Sequence, residues 1–324
     1  MDISGDGSNV DVYYNLKTGT WTEEDSIGDS NGYGHASGEE DGSTGSDEDD
    51  CEIWFEVYQN DYDNDGLVYW EEVNMYGTNP MEKNHYKFAI MVCGGAIGDP
   101  AQPTFENTIQ HAYNTLKDIG YNDEDIYYLN VDASKEGVDQ IATKNNIQEA
   151  ITNWLASRSK SYGECFIYLI NHGTDGGYFA VDSNGDGDLS DSEDYIRDYE
   201  LDSWIDQVVY STCTVVIEAC FSGDFIDDLS EDNRIVITSS NGSQPSYGIS
   251  GGEAIFSKAF FDTMGIGLSY GHCWEAGDSA VAKSIHPEQN PQIDDNGDGN
   301  GHGTTSVDHL PVGGDGLTAL STYP

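Results

Sequence analysis

The chain has 324 residues, of which 60 are Asp or Glu and only 12 are Lys or Arg, giving a formal net charge of −48. A surface this acidic repels polyphosphate, which argues against nucleic acid as a partner, whereas a basic or cationic partner, a divalent metal or a high-salt environment fits the charge. Hydrophobic residues make up 37% of the chain, enough for a buried core, and the apolar runs at 88–92, 166–170 and 215–217 are too short to span a membrane.

Residues 1–82 are rich in Gly, Asp, Glu, Ser and Asn, and their apolar residues occur only in short groups. Residues 28–50 have neither helical nor strand periodicity. We therefore predict that residues 1–82 form an acidic, loop-rich appendage. The six cysteines are too few for a disulfide scaffold, and the absence of a C-x-x-C pair argues against a cysteine zinc site.

From residue 83 to 286 the pattern changes to alternating strands and helices. Strands are predicted at 86–93, 125–130, 165–171, 214–219 and 234–239, and helices at 104–119, 145–158, 199–210, 252–264 and 273–285. This alternation predicts an α/β fold with a mostly parallel sheet and helices on both faces. Residues 287–324 return to a Gly- and Asp-rich composition, which predicts a tail.

Three segments follow the pattern of a calcium loop, which presents oxygen ligands at positions one, three, five and twelve around a tight turn. The predicted ligands are Asp61, Asp63, Asp65 and Glu72 in the first loop; Asp182, Asn184, Asp186, Asp188 and Glu193 in the second; and Asp294, Asn296 and Asp298 in the third. In the third loop position twelve is Thr305, so the match is partial. Since Asp-Asn-Gly turns also occur on ordinary acidic surfaces, the repetition of the pattern is what predicts structural Ca²⁺.

The first loop continues as Leu67-Val-Tyr-Trp-Glu-Glu72 and resembles the calcium repeats of microbial surface proteins, which are similar to thrombospondin type 3 repeats. Millimolar calcium is found outside cells, so the resemblance implies an extracellular or cell-surface location. Residues 2–6, Asp-Ile-Ser-Gly-Asp, do not have the pattern of a secretion signal.

Two predicted strands end in residues that can carry out acyl transfer. The strand at 165–171 leads into His172-Gly173, and the strand at 214–219 leads into Cys220-Phe-Ser-Gly223. Because the carboxyl ends of parallel strands meet at one edge of a sheet, His172 and Cys220 are expected to lie close together. A thiolate is a strong nucleophile and an imidazole beside it can transfer the proton. A core cysteine and an unrelated loop histidine are the alternative interpretation.

The motifs Ile167-Tyr-Leu-Ile-Asn-His-Gly173 and Val216-Ile-Glu-Ala-Cys-Phe-Ser-Gly223 resemble those of legumain-type cysteine peptidases, a family with the caspase-like fold (clan CD). The resemblance covers residues 84–286. It implies that Cys220 is the nucleophile, that His172 is the general acid/base, and that the backbone N–H groups of Cys220 and Gly173 form the oxyanion hole. It also implies a peptide or protein substrate, and no cofactor for the chemistry itself.

The sequence departs from the legumain pattern at two places. Ala96 stands where legumains carry an Asn after the first strand. Thr104 and Phe105 stand where legumains carry the Arg-His pair of the pocket that accepts Asn.

The residues expected to bind substrate follow from the same resemblance. Glu218 matches the pocket Glu of legumains but lacks its Arg partner, Glu253 can add a second acid, and Ser239 and Ser240 lie on the segment that borders the cleft. An unpaired carboxylate in a partly desolvated pocket favours a cationic ligand, so we predict cleavage after Arg or Lys. A pairing of Glu218 with a backbone amide or a nearby Lys, without any role in selection, is the alternative.

Two other functions remain open from the sequence. One is a calcium-stabilised surface binding or adhesion module with an inactive caspase-like domain. The other is a peptide ligase or transpeptidase, since an amine can capture the same acyl-enzyme. A metalloprotease is disfavoured because no H-E-x-x-H motif occurs.

Overall fold

The computed structural model describes residues 11–15, 20–24, 67–76, 86–303 and 309–324. The chain divides into two compact units, 1–85 and 86–324. In the first unit, β1 (Asp11–Asn15) pairs antiparallel with β2 (Thr20–Glu24), and a π-helical segment covers Glu71–Tyr76.

The second unit contains a seven-stranded sheet. Its strands in chain order are β3 (Lys87–Cys93), β4 (Ile126–Asn130), β5 (Gln140–Ile141), β6 (Glu164–Ile170), β10 (Thr212–Glu218), β11 (Arg234–Thr238) and β12 (Gln292–Asp294). The spatial order is β12-β11-β10-β6-β3-β4-β5, and every neighbouring pair is parallel except β11 with β12. From β3 the chain moves outward to β4 and β5, whereas from β6 it moves the other way to β10 and β11. The direction reverses between β3 and β6, and such a reversal opens a crevice at the carboxyl ends of the strands.

Helices cover both faces of this sheet. They are α1 (Gln102–Asp118), α2 (Lys144–Glu149, continued by a π segment at Ala150–Leu155 and by Ala156–Arg158), α3 (Asp198–Ile205), α4 (Ile226–Leu229), α5 (Ile255–Met264), α6 (Tyr270–Ala282) and α7 (Leu317–Ser321). One core contains Ala89 and Met91 of β3 together with α1, α5, α6 and α7. The opposite core contains Phe88 and Ile90 of β3 together with α2, α3 and α4. Because both faces are buried, the strands are continuous apolar runs, and the predicted α/β fold class is confirmed.

A second, three-stranded sheet follows directly from β6. Its antiparallel strands are β7 (Gly173–Thr174), β8 (Tyr178–Ala180) and β9 (Tyr195–Arg197). Since β7 begins one residue after His172, this small sheet fixes the chain as it leaves the end of β6.

Residues 287–324, whose composition predicts a tail, contribute a strand and a helix to the second unit. β12 adds an antiparallel strand beside β11, and α7 packs on α6. The buried carboxylate of Asp295 accepts hydrogen bonds from the backbone N–H groups of Gly316 (2.8 Å) and Ala319 (2.7 Å). These contacts join segments far apart in the chain, so composition alone did not predict them.

Arg234, at the start of β11, is a buried cation in this acidic protein. Its guanidinium donates to the carboxylates of Asp202 (2.7 Å), Asp206 (3.0 Å) and Glu231 (3.1 Å). The Arg234 side chain is fully buried while its three acidic partners are partly exposed. This network connects β11 to α3. No helix in the described part of the chain is long and apolar enough to cross a membrane.

Candidate active site

A cleft of about 390 Å³ opens at the carboxyl ends of β6 and β10, on the edge where the crevice is expected. Its lining comes from four parts of the chain: the loop before α1 together with the first turn of α1, the ends of the two strands, and the segment 246–254. The lining residues are Pro100, Ala101, Thr104, Phe105, Asn171, His172, Glu218, Ala219, Cys220, Ser246, Tyr247, Gly248, Ser250 and Ala254. The fold therefore brings His172 and Cys220, which are 48 positions apart in the chain, to the same cleft.

His172 is partly exposed and is held from two sides. Its Nε2 lies 2.7 Å from Oδ2 of Asp99, which precedes α1. The ring of Phe105 meets the imidazole edge-on, with a centroid separation of 5.1 Å and an interplanar angle of 85°. The imidazole is thus oriented at the mouth of the cleft.

Cys220 lies two residues beyond the end of β10, at a sharp turn. The next residue, Phe221, has a left-handed backbone with φ 58°, a conformation that costs a non-glycine residue about 1–3 kcal/mol. The N–H of Phe221 donates to the carbonyl of Gln244 (2.8 Å), which helps to hold the turn. The Cys220 thiol faces the Ser246 carbonyl at 3.7 Å, and burial raises the pKa of the thiol above its ordinary value.

Gly173 packs directly against the backbone of Cys220. A Cβ atom at this position would lie 2.3 Å from the Cys220 carbonyl oxygen and 3.1 Å from that of Tyr178. Only glycine permits this approach of β7 to the turn after β10 without movement of the backbone.

Glu218, the last residue of β10, lies at the base of the cleft and is 3% exposed. Its Oε1 accepts a hydrogen bond from the Ser246 hydroxyl, and its Oε2 accepts from the Ser257 hydroxyl (2.7 Å) and the Ser257 backbone N–H (3.1 Å). Burial raises the pKa of Glu218, while these hydrogen bonds act in the opposite direction. Among the described residues, no Lys or Arg lines the cleft.

The other three residues predicted to bind substrate lie elsewhere. The side chains of Ser239 and Ser240 are fully buried, and both hydroxyls donate to the Ala219 carbonyl, at 3.4 and 3.0 Å. Glu253 is paired with His111 through Oε2 and Nδ1, 2.8 Å apart. None of these side chains is in the cleft lining. The two serines instead support the segment that carries Cys220.

Of the predicted calcium loops, the first lies mostly outside the described residues: Asp61, Asp63 and Asp65 are not described, and Glu72 is buried in the π-helical segment. In the second loop, the Asp182 carboxylate accepts hydrogen bonds from the backbone N–H groups of Gly185 (2.7 Å) and Gly187 (3.0 Å), and both glycines have positive φ.

The third loop has the same backbone arrangement, in which Asp294 accepts from the N–H groups of Gly297 (3.1 Å) and Gly299 (3.0 Å). Its other predicted ligands, Asn296 and Asp298, are exposed, and Thr305 lies outside the described residues.

The second loop brings two of its predicted ligands together, since Asn184 Nδ2 lies 3.5 Å from Glu193 Oε1. Asp186 and Asp188 accept hydrogen bonds from backbone N–H groups within the loop. Its carboxylate and amide oxygens fit calcium in chemical type. In the part of the chain that the structure describes, however, no three Asp, Glu, His or Cys side chains form a group that could hold a metal ion.

Three residues of the site were not found by sequence reasoning: Asp99 beside His172, and Ser246 and Ser257 on Glu218. Asp99 follows the first strand of the domain, so the strand-end rule that identified His172 and Cys220 could have included it. The two serines had no comparable signal, because serine is common in surface loops.

Comparison with known proteins gives one family. Residues 143–264 match the model of the Peptidase C13 family, and this segment contains His172, Glu218 and Cys220. A crystal structure of caspase-1 from Spodoptera frugiperda is similar at 13% identity and a TM-score of 0.47, covering 65% of this chain and 87% of that one. No curated protein matches the chain. The family match supports a hydrolase of the cysteine peptidase class, related to the legumain type.

Proposed function

We propose that the protein is a cysteine endopeptidase that acts through Cys220 and His172. The observation that carries the proposal is that both side chains line a single cleft at the ends of adjacent parallel strands, within the segment that matches the peptidase family.

In this mechanism the Cys220 thiol gives its proton to His172, and the thiolate attacks the carbonyl carbon of the scissile bond. The carbonyl electron pair moves to oxygen, where the backbone N–H groups of Cys220 and Gly173 stabilise it. As the C–N bond breaks, His172 returns the proton to the departing amine. Water then attacks the thioester with His172 as general base, and the thiol is regenerated.

We propose in addition that the cleft selects Arg or Lys on the amino side of the scissile bond. This selectivity depends on Glu218, whose hydrogen-bond donors are neutral hydroxyl and amide groups that leave the carboxylate charge in place. A substrate cation reaching the base of the cleft would neutralise that charge in a partly desolvated setting. Because Glu253 is paired with His111, the preference depends on Glu218 alone.

The test is a fluorogenic peptide library that varies the residue before the cleaved bond among Arg, Lys, Asn and Ala. Cys220→Ala and His172→Ala are expected to abolish turnover while the thermal midpoint stays near that of the wild type. Glu218→Gln is expected to remove the basic preference, and Glu253→Gln, which removes an acid outside the cleft, is the matched control. Activity in Cys220→Ala above contamination would refute the nucleophile assignment, and equal cutting of all four peptides by the wild type would refute the specificity.

The same assay separates the competing functions. Addition of a peptide amine and mass analysis of the products would reveal ligation as a new, longer peptide. A binding or adhesion module would give no turnover of any peptide and no preferential modification of Cys220.

We also propose that calcium binds the loop from Asp182 to Glu193 and has a structural role, which would suit an extracellular or cell-surface setting. This loop follows β8, and β8 pairs with Gly173 in β7. The Asp182 N–H also donates to the Gly95 carbonyl (3.2 Å) at the end of β3. Ordering the loop would therefore restrict the motion of the backbone on either side of the cleft.

Calorimetric titration with Ca²⁺ measures the binding heat. Thermal unfolding with and without Ca²⁺ gives a second measure, because a ligand that binds only the folded state raises the thermal midpoint. Asp182→Ala is expected to weaken binding and reduce that rise, and Asp294→Ala is the comparison in the partial loop. EDTA should reduce activity, and calcium should restore it. Absence of binding heat together with full activity in EDTA would rule calcium out.

A further inference from the structure

The catalytic imidazole has an acidic partner that holds one of its two nitrogens. Asp99 Oδ2 lies 2.7 Å from His172 Nε2, and the Asp99 side chain is only 15% exposed. Neither the family match, which begins at residue 143, nor the motifs around His172 and Cys220 include this residue.

Asp99 is itself fixed by its own turn. Its Oδ1 accepts a hydrogen bond from the Ala101 backbone N–H (2.7 Å). Its backbone N–H donates to the Ala96 carbonyl (3.1 Å), and its carbonyl accepts from the Gln102 N–H (3.1 Å). The carboxylate is thus presented to His172 by a hydrogen-bonded turn between β3 and α1, so the side chain is held independently of the imidazole.

The chemistry of the two nitrogens follows from this contact. An ionised carboxylate can only accept a hydrogen bond, so a 2.7 Å contact requires the proton of a neutral imidazole to be on Nε2. Nδ1 is then the unprotonated nitrogen and is available to take the thiol proton. When His172 becomes an imidazolium, the carboxylate of Asp99 stabilises the new charge without itself taking a proton.

We propose that Asp99 is a positioning residue for His172: it sets the Nε2–H tautomer, fixes the ring orientation together with Phe105, and stabilises the imidazolium. This inference rests on the proposed peptidase function. It adds a third residue, from the loop between β3 and α1, to the pair supplied by the ends of β6 and β10.

The first test is independent of activity. In protein labelled with ¹⁵N-histidine, assigned by loss of the signal in His172→Ala, the neutral His172 ring should show a protonated Nε2 and an unprotonated Nδ1. In Asp99→Ala the ring should shift toward a mixture of tautomers. A wild-type ring that carries its proton on Nδ1 would overturn the inference even if the variant did not fold.

The second test is kinetic. Asp99→Ala should lower kcat by about 10²-fold, the lower end of what a positioned general base contributes. Its KM should stay within about twofold of the wild-type value, because Asp99 is outside the cleft lining. Asp99→Asn keeps a hydrogen-bond acceptor but loses the charge, so its kcat should lie between those of the wild type and Asp99→Ala. Asp118→Ala removes the same charge from the exposed end of α1 and is the matched control.

An active wild type with an unchanged kcat in Asp99→Ala would overturn the positioning role and leave the peptidase intact. If the wild type neither cleaves peptides nor reacts preferentially at Cys220, the proposed function fails, and the ¹⁵N spectrum still decides whether Asp99 sets the tautomer.

Discussion

Replacement of Gly173 by Ala tests how closely the turn at Cys220 must approach β7. The added Cβ would lie 2.3 Å from the Cys220 carbonyl oxygen, whereas an ordinary contact begins near 3.4 Å, so the two backbones must separate by about 1 Å. Gly173 does not have a positive φ, so the substitution introduces no intrinsic backbone strain. Because Ala keeps the backbone N–H, the substitution changes the geometry and leaves the number of backbone donors at the cleft unchanged.

Two quantities are expected to change. Overpacking of a well-packed site costs about 1–3 kcal/mol, which lowers the free energy of unfolding. Displacement of the Cys220 turn by about 1 Å is expected to lower kcat/KM by about 10²-fold, the cost of misplacing reacting groups by that distance. Denaturant unfolding gives the first quantity and hydrolysis of the best library peptide gives the second.

Gly265→Ala is the matched control, because a Cβ there would make only ordinary contacts, the nearest being the Phe261 carbonyl oxygen at 3.4 Å. It should leave both quantities close to the wild-type values. If Gly173→Ala behaved like Gly265→Ala in stability and in kcat/KM, the inferred close packing of β7 against the turn at Cys220 would be wrong.

Three further predictions follow from burial. Arg234→Met should lower the free energy of unfolding by about 3 kcal/mol, which is the low end for breaking a buried ion pair because the carboxylate partners of Arg234 can hydrate. Arg158→Met, at an exposed site, is the control. A loss below about 1 kcal/mol in Arg234→Met, comparable to that in Arg158→Met, would contradict the prediction. Because burial raises the pKa of Glu218, its charge is lost at a higher pH than for an ordinary glutamate. The preference for Arg over Asn should therefore fall as pH is lowered, and a preference that stays constant down to the ordinary glutamate range would count against Glu218. Iodoacetamide should modify Cys220 first, as mapped by peptide mass, and early modification of any buried thiol would argue against an accessible nucleophile. The described buried thiols, whose pKa values burial also raises, are Cys93, Cys165, Cys213 and Cys273.

The sequence predicted the elements that local pattern determines. Strands β3, β6, β10 and β11 are buried on both faces, so each is a continuous apolar run. Their predicted ends lie within two residues of the observed ends. In the same unit the strands β5, β7, β8, β9 and β12 were missed because they have two or three residues each and depend on distant partners. A pattern that short contains no usable periodicity.

The site residues likewise divide into those that local sequence predicts and those that depend on tertiary contacts. His172 and Cys220 were found because each directly follows a strong strand. Asp99 is 73 residues from His172, and Ser257 is 39 residues from Glu218, so these contacts depend on tertiary structure. Ser239 and Ser240 were expected to bind substrate because their segment resembles the one that borders the legumain cleft, but their hydroxyls turn inward to the Ala219 carbonyl.

The proposed preference for basic substrates has two candidate sources, the whole surface with its net charge of −48 and the buried Glu218. Exposed carboxylates are screened beyond about 8 Å at physiological ionic strength, whereas a buried charge is screened much less. The surface should therefore accelerate the encounter with any cationic peptide, and Glu218 should decide which residue occupies the base of the cleft. For two peptides of equal net charge, with Arg or Asn before the cleaved bond, added salt is expected to lower kcat/KM for both while their ratio stays nearly constant. A ratio that collapsed toward one with salt would assign the selection to the surface, and Glu218 would then have no special part in it.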